Sequence, residues 1–316
     1  MRVVFIGTGE FGVPALRALR QAGHPVVAAI SQPDRPAGRG RAVRPTPIHA
    51  AADELGLSHI QTEDINGLDL AVVGEAADIG VVAAFGQKIG PHVLSALPRG
   101  CVNIHGSLLP RYRGAAPYQR AMIDGAEVTG VTVFQLDERW DTGEIWGAQL
   151  TPILDTETAD ELHDRLAALG AELIVETLAA MAAGTARPRA QDPAQATRAP
   201  KLSKADGTVN WSQPARLVVR RIHGLWSWPA AACTFVSRSG KQERVLLARA
   251  AVADVDAVPT AEFLPGAFCD DLTVQTGVGR VRLLEMQPAG GKRMPFTAFA
   301  NGRRIAPPDR LLPVQS

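Results

Sequence analysis

Four short runs of mostly apolar residues, separated by segments of helical pattern, constrain the fold of this chain more than any other feature. The apolar runs are residues 3–6, 26–30, 79–85 and 100–104. The helical patterns lie at 11–22, 48–55 and 68–77. A strand that is apolar along its length must be covered on both faces, and helices on both sides of a parallel sheet provide that cover. The sequence therefore predicts an α/β fold with a doubly wound, mostly parallel sheet.

Two further strands and a long helix complete the first domain. Residues 128–136 and 144–150 have strand patterns and are expected to pair across the loop between them. Leucines and other apolar residues at three- to five-residue spacing between 162 and 181 indicate an amphipathic helix, which Gly184 ends.

The composition changes after this helix and predicts a second domain. Residues 185–205 are rich in proline, alanine and arginine without periodicity, which is typical of a linker. Beyond residue 206 a short helix precedes several short strands separated by Gly, Pro and Asp, a pattern typical of a small β-barrel. A chain of 316 residues is also long for one core. We predict a catalytic domain at 1–184, a linker at 185–205 and a barrel domain at 206–316.

An amide, an imidazole and a carboxylate supply the groups needed to move an acyl group between two nitrogens. Asn103 and His105 stand at the carboxyl end of a predicted strand, and Asp141 begins the sequence Asp-Thr-Gly. The amide can donate to an oxyanion, the imidazole can move a proton, and the carboxylate can orient the imidazole. No Gly-x-Ser-x-Gly nucleophile motif accompanies them. We favour direct transfer to an external amine over the alternative that these residues only cap a loop and form a turn.

The residues directly after this pair are suited to a binding surface. Ser107, Leu108, Leu109 and Pro110 follow His105 after one glycine. A rigid apolar ledge beside polar groups can form the wall of a site for a flat ring.

A glycine motif near the start of the chain offers a different interpretation. Gly7, Gly9 and Gly12 follow the first predicted strand, and Asp34 lies about twenty residues further on, as in dinucleotide-binding fingerprints. Asp34 already stands inside a loop, however, whereas a ribose-binding acid belongs at a strand tip. We favour the interpretation that the glycines only permit a tight turn, and keep an NAD-dependent oxidoreductase as an alternative.

Residues 31–47 form a predicted loop with one acid and four arginines. Besides Arg35 these are Arg39, Arg41 and Arg44. Guanidinium groups bind phosphates bidentately, whereas an ordinary solvated loop mixes charges of both signs. We therefore predict that Arg39, Arg41 and Arg44 contact nucleic acid.

The charge of the chain is divided unevenly. Residues 1–184 carry 14 basic and 22 acidic side chains, a balance of −8, and residues 185–316 carry 19 and 10, a balance of +9, within a net charge of +1. A basic C-terminal part favours a polyanionic partner, although a solvated basic surface explains the charge equally well.

Cysteine usage and hydropathy restrict the cellular setting. Cys101, Cys233 and Cys269 have no paired spacing, so we expect neither disulfides nor a metal site. The longest uncharged apolar stretch, 222–236, is short and interrupted by Pro229, so no membrane span is expected. Met1 leads directly into a predicted strand, so we expect no targeting segment and a cytoplasmic location.

These motifs resemble those of the methionyl-tRNA formyltransferase family, and the resemblance covers nearly the whole chain. The matching stretches are residues 32–40, 103–117, 141–143, 201–204 and 287–290. Formyl transferases that use 10-formyltetrahydrofolate share the Asn-x-His pair followed by Ser-Leu-Leu-Pro, whereas the arginine loop and the Lys-Leu-Ser-Lys stretch at 201–204 distinguish the tRNA enzymes. The chain departs from the family at Glu138-Arg139-Trp140, where smaller residues are common.

The resemblance implies formyl transfer from the co-substrate 10-formyltetrahydrofolate to the α-amino group of initiator methionyl-tRNA. It implies a Rossmann-like formyltransferase domain and an OB-like barrel that contacts tRNA. The implied roles are catalysis for Asn103, His105 and Asp141, folate contact for Ser107, Leu108, Leu109 and Pro110, and insertion into the acceptor stem for the loop around Arg39.

Three alternatives stay open at this stage. A formyltransferase acting on a small amine would use the same three polar residues but leave the arginine loop without a role. An NAD-dependent oxidoreductase would leave the three residues unexplained, and a non-catalytic tRNA-binding module has no need of them. We also expect a monomer, because no stretch of the sequence reads as an exposed apolar seam.

Overall fold

The computed structural model describes residues 1–37, 42–69 and 76–314, and the chain forms two compact units. The first unit comprises Met1–Pro117, Thr129–Thr151 and His163–Pro200. The second comprises Tyr118–Val128, Pro152–Leu162 and Lys201–Ser316. The short segments 118–128 and 152–162 therefore belong with the C-terminal residues, although they lie earlier in the chain.

Buried strands form the centre of the first unit. Its strands in the described residues are β1 (Val3–Gly7), β2 (Val26–Ser31), β3 (Arg35–Ala37), β4 (Ala42–Arg44), β5 (His59–Gln61), β6 (Ile79–Ala83), β7 (Cys101–His105), β8 (Val128–Gln135) and β9 (Ile145–Pro152). Every residue of β1 and β6 is buried, as expected for strands covered on both faces.

Seven of these strands make one sheet in the order β5-β2-β1-β6-β7-β8-β9. β5, β2, β1, β6 and β7 are parallel, and β8 runs antiparallel to β7. This confirms the predicted doubly wound, mostly parallel sheet. The strand order reverses between β1 and β6, and ligands of such sheets bind at the carboxyl ends of the strands near this point.

Helices connect the strands and continue into the second unit. In the described residues they are α1 (Val13–Gln21), α2 (Pro47–Glu54), α3 (Pro91–Ser95), α4 (Pro117–Ile123), α5 (Ala159–Ala182), α6 (Ala215–Leu225) and α7 (Phe296–Arg303). Proline stands in the first turn of α1 and of α2, where its missing N–H costs no hydrogen bond. The helix expected at 68–77 falls largely on residues 70–75, which lie outside the described residues.

The glycine motif serves packing at the turn between β1 and α1. A Cβ atom on Gly7 would stand 2.7 Å from the carbonyl oxygen of Ala83, and one on Gly12 would stand 3.3 Å from three side-chain atoms. Asp34 is also engaged, because its carboxylate accepts the Thr46 N–H at 2.9 Å and contacts His49 Nδ1 at 3.0 Å. Close packing thus accounts for Gly7 and Gly12, whereas a Cβ atom on Gly9 would make only ordinary contacts, the nearest at 3.6 Å.

The second unit contains the predicted barrel. Its strands are β10 (Ala231–Val236), β11 (Gln242–Asp254), β12 (Val274–Gln275), β13 (Arg280–Pro288), β14 (Met294–Pro295) and β15 (Arg310–Pro313). They pair in the order β12-β13-β11-β10-β15, with β14 on β13, and each of these pairs is antiparallel.

Residues 266–268 nearly close this sheet into a barrel. The Gly266 N–H donates to the Gln275 carbonyl oxygen at 2.8 Å, and the Leu311 N–H donates to the Gly266 carbonyl oxygen at 2.7 Å. The segment therefore joins β12 to β15, so that little of either edge remains open.

Aromatic rings fill the interior of the barrel. Phe235 makes edge contacts with Phe268 and Phe299, and all three rings are buried. Trp226 is buried as well, whereas Trp228 is 53% exposed.

Candidate active site

Strand β7 places Asn103 and His105 on one face of the sheet. Side chains alternate along a strand, so residues two apart point the same way. Asn103 is half-buried, and His105 is 5% exposed. In the described part of the chain the Asn103 amide has no hydrogen-bond partner, so its N–H groups are available to a ligand.

The ring of His105 is held on two sides. Its Nε2 lies 2.9 Å from the carbonyl oxygen of Tyr112, and because a carbonyl only accepts, Nε2 carries the proton. The ring also meets the buried ring of Phe134 edge-on, with centroids 6.2 Å apart. In a neutral imidazole this arrangement leaves Nδ1 as the nitrogen that can accept a proton.

Asp141 is buried beside a neighbouring loop. Asp141 is 7% exposed, and its Oδ2 accepts the Gly114 N–H at 2.8 Å. Asp141 has a φ of 55°, which L residues adopt rarely. The Gly143 that follows is required by space, because a Cβ atom there would stand 1.8 Å from the Gln135 carbonyl oxygen.

One segment, Tyr112-Arg113-Gly114, joins the imidazole to the carboxylate. Tyr112 accepts from His105 and Gly114 donates to Asp141, so the two groups border the same three residues. Among the described residues no direct hydrogen bond or ion pair links His105 to Asp141. The described residues show no direct contact through which the carboxylate would orient the ring, so this role stays a prediction.

The ledge after His105 is firmly anchored. Leu109 is buried against Phe134 and Ile145, whereas Leu108 and Pro110 are half-buried and form the accessible part. Ser107 is fully buried, and its hydroxyl donates to the Arg111 carbonyl oxygen at 2.8 Å. Ser107 thus stabilises the ledge in this structure, and its hydroxyl hydrogen is already used.

A buried threonine on β8 holds the ledge to the sheet. The Thr132 hydroxyl donates to the Ser107 carbonyl oxygen at 2.7 Å and accepts the Leu109 N–H at 3.1 Å. Sequence reasoning missed Thr132, because a threonine within a strand is the ordinary β-branched choice and carries no functional signal.

Two side chains from residues 185–200 support the same site. Gln191 donates to the carbonyl oxygens of Asp141 and Gly143 at 3.0 and 2.8 Å, and it accepts from the Arg113 guanidinium at 2.7 Å. The Thr197 hydroxyl accepts the Tyr112 N–H at 2.8 Å. Neither residue gave a signal in the sequence, since this stretch lacks periodicity.

The arginine loop contains a β-hairpin. β3 and β4 pair antiparallel with Arg35 opposite Arg44, and the guanidinium of Arg35 donates to Gln32 Oε1 at 2.9 Å. Arg44 is exposed, whereas Arg39 and Arg41 lie outside the described residues. The prediction of a loop is wrong for the hairpin strands, because the single proline in them, Pro36, still allows extended backbone at a sheet edge.

Asp34 anchors the base of this hairpin. Burial disfavours its charge, but hydrogen bonds from Gln61, His49 and Thr46 outweigh burial and lower the pKa of the carboxyl group. A charged Asp34 can thus accept from both Thr46 and His49 near neutral pH.

Other chemistries find little support in the described residues. Burial raises the pKa of the Cys101 thiol to about 12, so this cysteine next to the site is no thiolate nucleophile. No cluster of three or more His, Cys, Asp or Glu side chains suited to a metal occurs in the described ranges. Across those same ranges, no helix combines the length and apolar character that a bilayer crossing requires.

Comparison with protein families gives two matches that together span most of the chain. The model of the formyl transferase family matches residues 1–178. The model of the formyl transferase C-terminal domain matches residues 201–304.

Individual relatives match over nearly their full length. The methionyl-tRNA formyltransferase of Heliobacterium modesticaldum is 43% identical, covering 97% of this chain and 98% of its own. The enzyme of the same name from Solibacter usitatus is 41% identical, with 98% of both chains covered. A solved structure of a Helicobacter canadensis N-formyltransferase, in complex with folinic acid and dTDP-3-aminofucose, superposes with a TM-score of 0.65 at 14% identity, covering 90% of this chain and 98% of that one. At that identity the likeness concerns the fold alone.

Proposed function

This chain belongs to the methionyl-tRNA formyltransferase family, and we propose that Asn103, His105 and Asp141 carry out the reaction of that family in it. The chain transfers the formyl group of 10-formyltetrahydrofolate to the α-amino group of initiator methionyl-tRNA, for the initiation of translation. The observation that carries this conclusion is similarity over the whole length of the named relatives, in both domains.

Asn103 is the electrostatic part of the proposed site. The amine of the methionyl ester attacks the formyl carbon directly, and negative charge collects on the formyl oxygen in the tetrahedral intermediate. The unpartnered, half-buried amide of Asn103 donates to this oxygen. Such a donor acts mainly in the transition state, so it raises turnover more than it tightens binding.

His105 and Asp141 carry out the proton transfer in this proposal. The amine loses a proton as it attacks, and the departing N10 of the folate needs one, so a single group can serve both ends. His105 offers Nδ1 as the acceptor, because Nε2 is engaged by the Tyr112 carbonyl oxygen. In the same proposal the carboxylate of Asp141, which accepts the Gly114 N–H, balances the positive charge that the imidazole carries between the two proton transfers.

The ledge after β7 suits the folate. Leu108 and Pro110 present accessible apolar surface directly after the catalytic pair, as a flat ring system requires. Leu109 and Ser107 act from beneath this surface, Leu109 through its packing and Ser107 through its hydrogen bond to Arg111.

The arginine hairpin is the proposed contact to the acceptor stem of the tRNA. Arg44 is exposed on β4, and β3 and β4 carry the residues 38–41 between them, among which are Arg39 and Arg41. Their bidentate geometry suits phosphate oxygens. The +9 balance of residues 185–316 supports additional phosphate contact by the barrel.

Neither enzyme alternative gains support. Asp34 is held by Thr46 and His49, which leaves it poorly suited to a ribose, and packing explains Gly7 and Gly12 of the motif. A small-amine acceptor would leave the exposed arginine hairpin without a role.

We also propose that the protein is a cytoplasmic monomer with a catalytic domain at 1–184, a linker at 185–205 and a barrel domain at 206–316. The segment 185–200 would then be a connection that also supports the site through Gln191 and Thr197.

One assay tests the function. The enzyme is incubated with 10-formyltetrahydrofolate and, in parallel, with methionyl-tRNA, with free methionine or with an amino sugar nucleotide, and formylated product is measured. We expect product with methionyl-tRNA at a kcat/KM far above that of either small amine. Preference for a small amine would contradict the proposal, and NADH binding detected by its fluorescence would support the oxidoreductase instead.

A further inference from the structure

We propose that the indole ring of Trp140 stacks on the unpaired terminal base of the tRNA and thereby positions the aminoacyl group at Asp141. This inference rests on the function proposed above, because it assigns a residue to the acceptor substrate of that reaction. Trp140 would be a positioning residue with no part in proton transfer.

Trp140 is unusually exposed for an aromatic residue beside an active site. Its relative exposure is 61%, whereas its neighbour in sequence, Asp141, is buried. An apolar ring of this size costs free energy when it is left in water, which burial against a ligand would recover. None of the aromatic ring contacts in the described residues involves Trp140.

The loop that carries Trp140 is fixed on both sides of the ring. Before it, the Asp137 carboxylate accepts the Arg139 N–H at 2.9 Å and the Thr142 hydroxyl at 2.7 Å. After it, Gln191 holds the carbonyl oxygens of Asp141 and Gly143. A ring on a fixed backbone loses little conformational entropy when it contacts a ligand.

Proximity favours the terminal base over other parts of the tRNA. Trp140 directly precedes Asp141, and consecutive Cα atoms are about 3.8 Å apart, so the two residues share one short stretch of the loop. The reacting amine must come to this carboxylate and to His105. Only the methionyl ester and one ribose separate this amine from the terminal base, so that base must lie close to the loop.

The surroundings of the ring favour a base face over a pteridine or a phosphate. Small-molecule pockets enclose about 70–90% of the ligand surface. Trp140 and its neighbours Glu138 and Arg139 are all exposed, so they do not form such an enclosure. Single-stranded nucleic acids, in contrast, stack their bases on open aromatic surfaces. The loop also carries the acids Asp137 and Glu138 beside Arg139, so it does not attract phosphate.

The test compares steady-state kinetics of the wild type with Trp140→Ala and Trp140→Phe, each at several salt concentrations. We expect Trp140→Ala to raise the KM for methionyl-tRNA about tenfold, equal to ~1.4 kcal/mol, with the KM for 10-formyltetrahydrofolate unchanged. Trp140→Phe should restore most of the affinity. Stacking is not an ionic contact, so the slope of log KM against log salt should stay that of the wild type.

Leu150→Ala is the matched control, because Leu150 is 68% exposed on β9 and its removal also deletes exposed apolar surface. It should leave both KM values unchanged. A wild-type KM for methionyl-tRNA in Trp140→Ala, or an increase confined to the folate KM, would overturn the stacking while leaving the formyltransferase function intact. A wild-type enzyme that does not formylate methionyl-tRNA would overturn both.

Discussion

Hydrogen bonds hold two of the three polar residues of the candidate site, His105 and Asp141. His105 and Asp141 each bind the segment 112–114, and Gln191 binds both that segment and the Asp141 loop. The two side chains therefore contact one shared set of residues, which we call the framework. A small displacement of this framework would move both of them relative to the formyl carbon.

Asn103→Ala tests the oxyanion role at the level of a single donor. Removing one such donor typically lowers the rate about 10²–10³-fold, and single-turnover kinetics should show this loss. Folate binding, measured by equilibrium titration, should persist because the ledge at 107–110 does not depend on the amide. Single-turnover rates close to those of the wild type would remove Asn103 from the chemistry.

Gln191→Ala tests the framework. We expect kcat to fall roughly 10- to 100-fold, since misplacing catalytic groups by about 1 Å can cost that much, while both KM values change little. Gln195→Ala is the matched control, because Gln195 is exposed and its amide binds only Asp192 nearby. Equal kcat values for the two variants would show that the hydrogen bonds of Gln191 do not position the site.

Among the secondary-structure elements, the hairpin β3–β4 is regular structure within residues 31–47, whose composition predicts a loop. Its pairing places Arg35 and Arg44 opposite each other at the base, where Asp34 and Thr46 are hydrogen bonded. Because Arg35 is bound to Gln32, Arg44 is the better probe of phosphate contact from the described strands.

Arg44→Ala should weaken methionyl-tRNA binding and reduce its dependence on salt. Each lost phosphate contact lowers the magnitude of the slope of log K against log salt by about 0.7–0.9. Filter binding or fluorescence anisotropy at several salt concentrations measures this slope. Arg20→Ala, an exposed change in the last turn of α1, should leave it unaltered. An unchanged slope in Arg44→Ala would argue against the hairpin as the contact.

Helix α6 contains a buried histidine that links stability to pH. His223 is fully buried, and its Nε2 accepts the Ala250 N–H at 3.0 Å, so the neutral ring carries its proton on Nδ1. Burial, followed by the charges of Arg249 and Arg220, lowers the pKa of His223 to about 4 from 6.5. His223 is therefore protonated near pH 6.5 in the unfolded chain but only near pH 4 in the folded chain.

This histidine should destabilise the protein progressively as the pH falls from about 6.5 to 4. The neutral histidine makes its full contribution to the free energy of unfolding above pH 6.5. Near pH 4 that free energy is lower by about 3 kcal/mol. Urea unfolding at pH 7 and pH 4.5 measures the difference. In His223→Gln, whose amide oxygen can still accept from Ala250, the drop should be smaller by most of this amount. An identical drop in both proteins would contradict the assignment.

At the scale of the whole molecule, the division into compact units does not follow the order of the chain. Residues 118–128 and 152–162 belong to the second unit, while the chain up to Pro200 belongs to the first. The acidic and basic halves of the sequence are thus only an approximate guide to the charge of each unit, and polyanion binding must be tested on the full chain.

We expect the full chain to be a monomer of 33.5 kDa in solution. The exposed large apolar residues of the described ranges are scattered singly or in small groups over both units, and such surfaces are normal for monomers. Sedimentation velocity at several protein concentrations measures the mass. A species of twice this mass that persists on dilution would contradict the expectation.

Much of the fold could be predicted because its signals are local. The buried runs that became β1, β2, β6 and β7 are mostly apolar, and their short length separates them from helices. The polar residues of the site were visible because Asn103, His105 and Asp141 stand out against apolar or turn-forming neighbours. Their catalytic roles stay predictions until the variants are measured.

Residue type and hydrophobic period encode directly the type of each long element, the class of fold and the chemistry of the candidate groups. Three features depend on the folded chain instead: the support of the site by Gln191 and Thr197, the near closure of the barrel by 266–268, and the contacts of both His105 and Asp141 with Tyr112–Gly114. These contacts join residues far apart in the chain. No local pattern records them, because their free energy arises only once the intervening chain has folded.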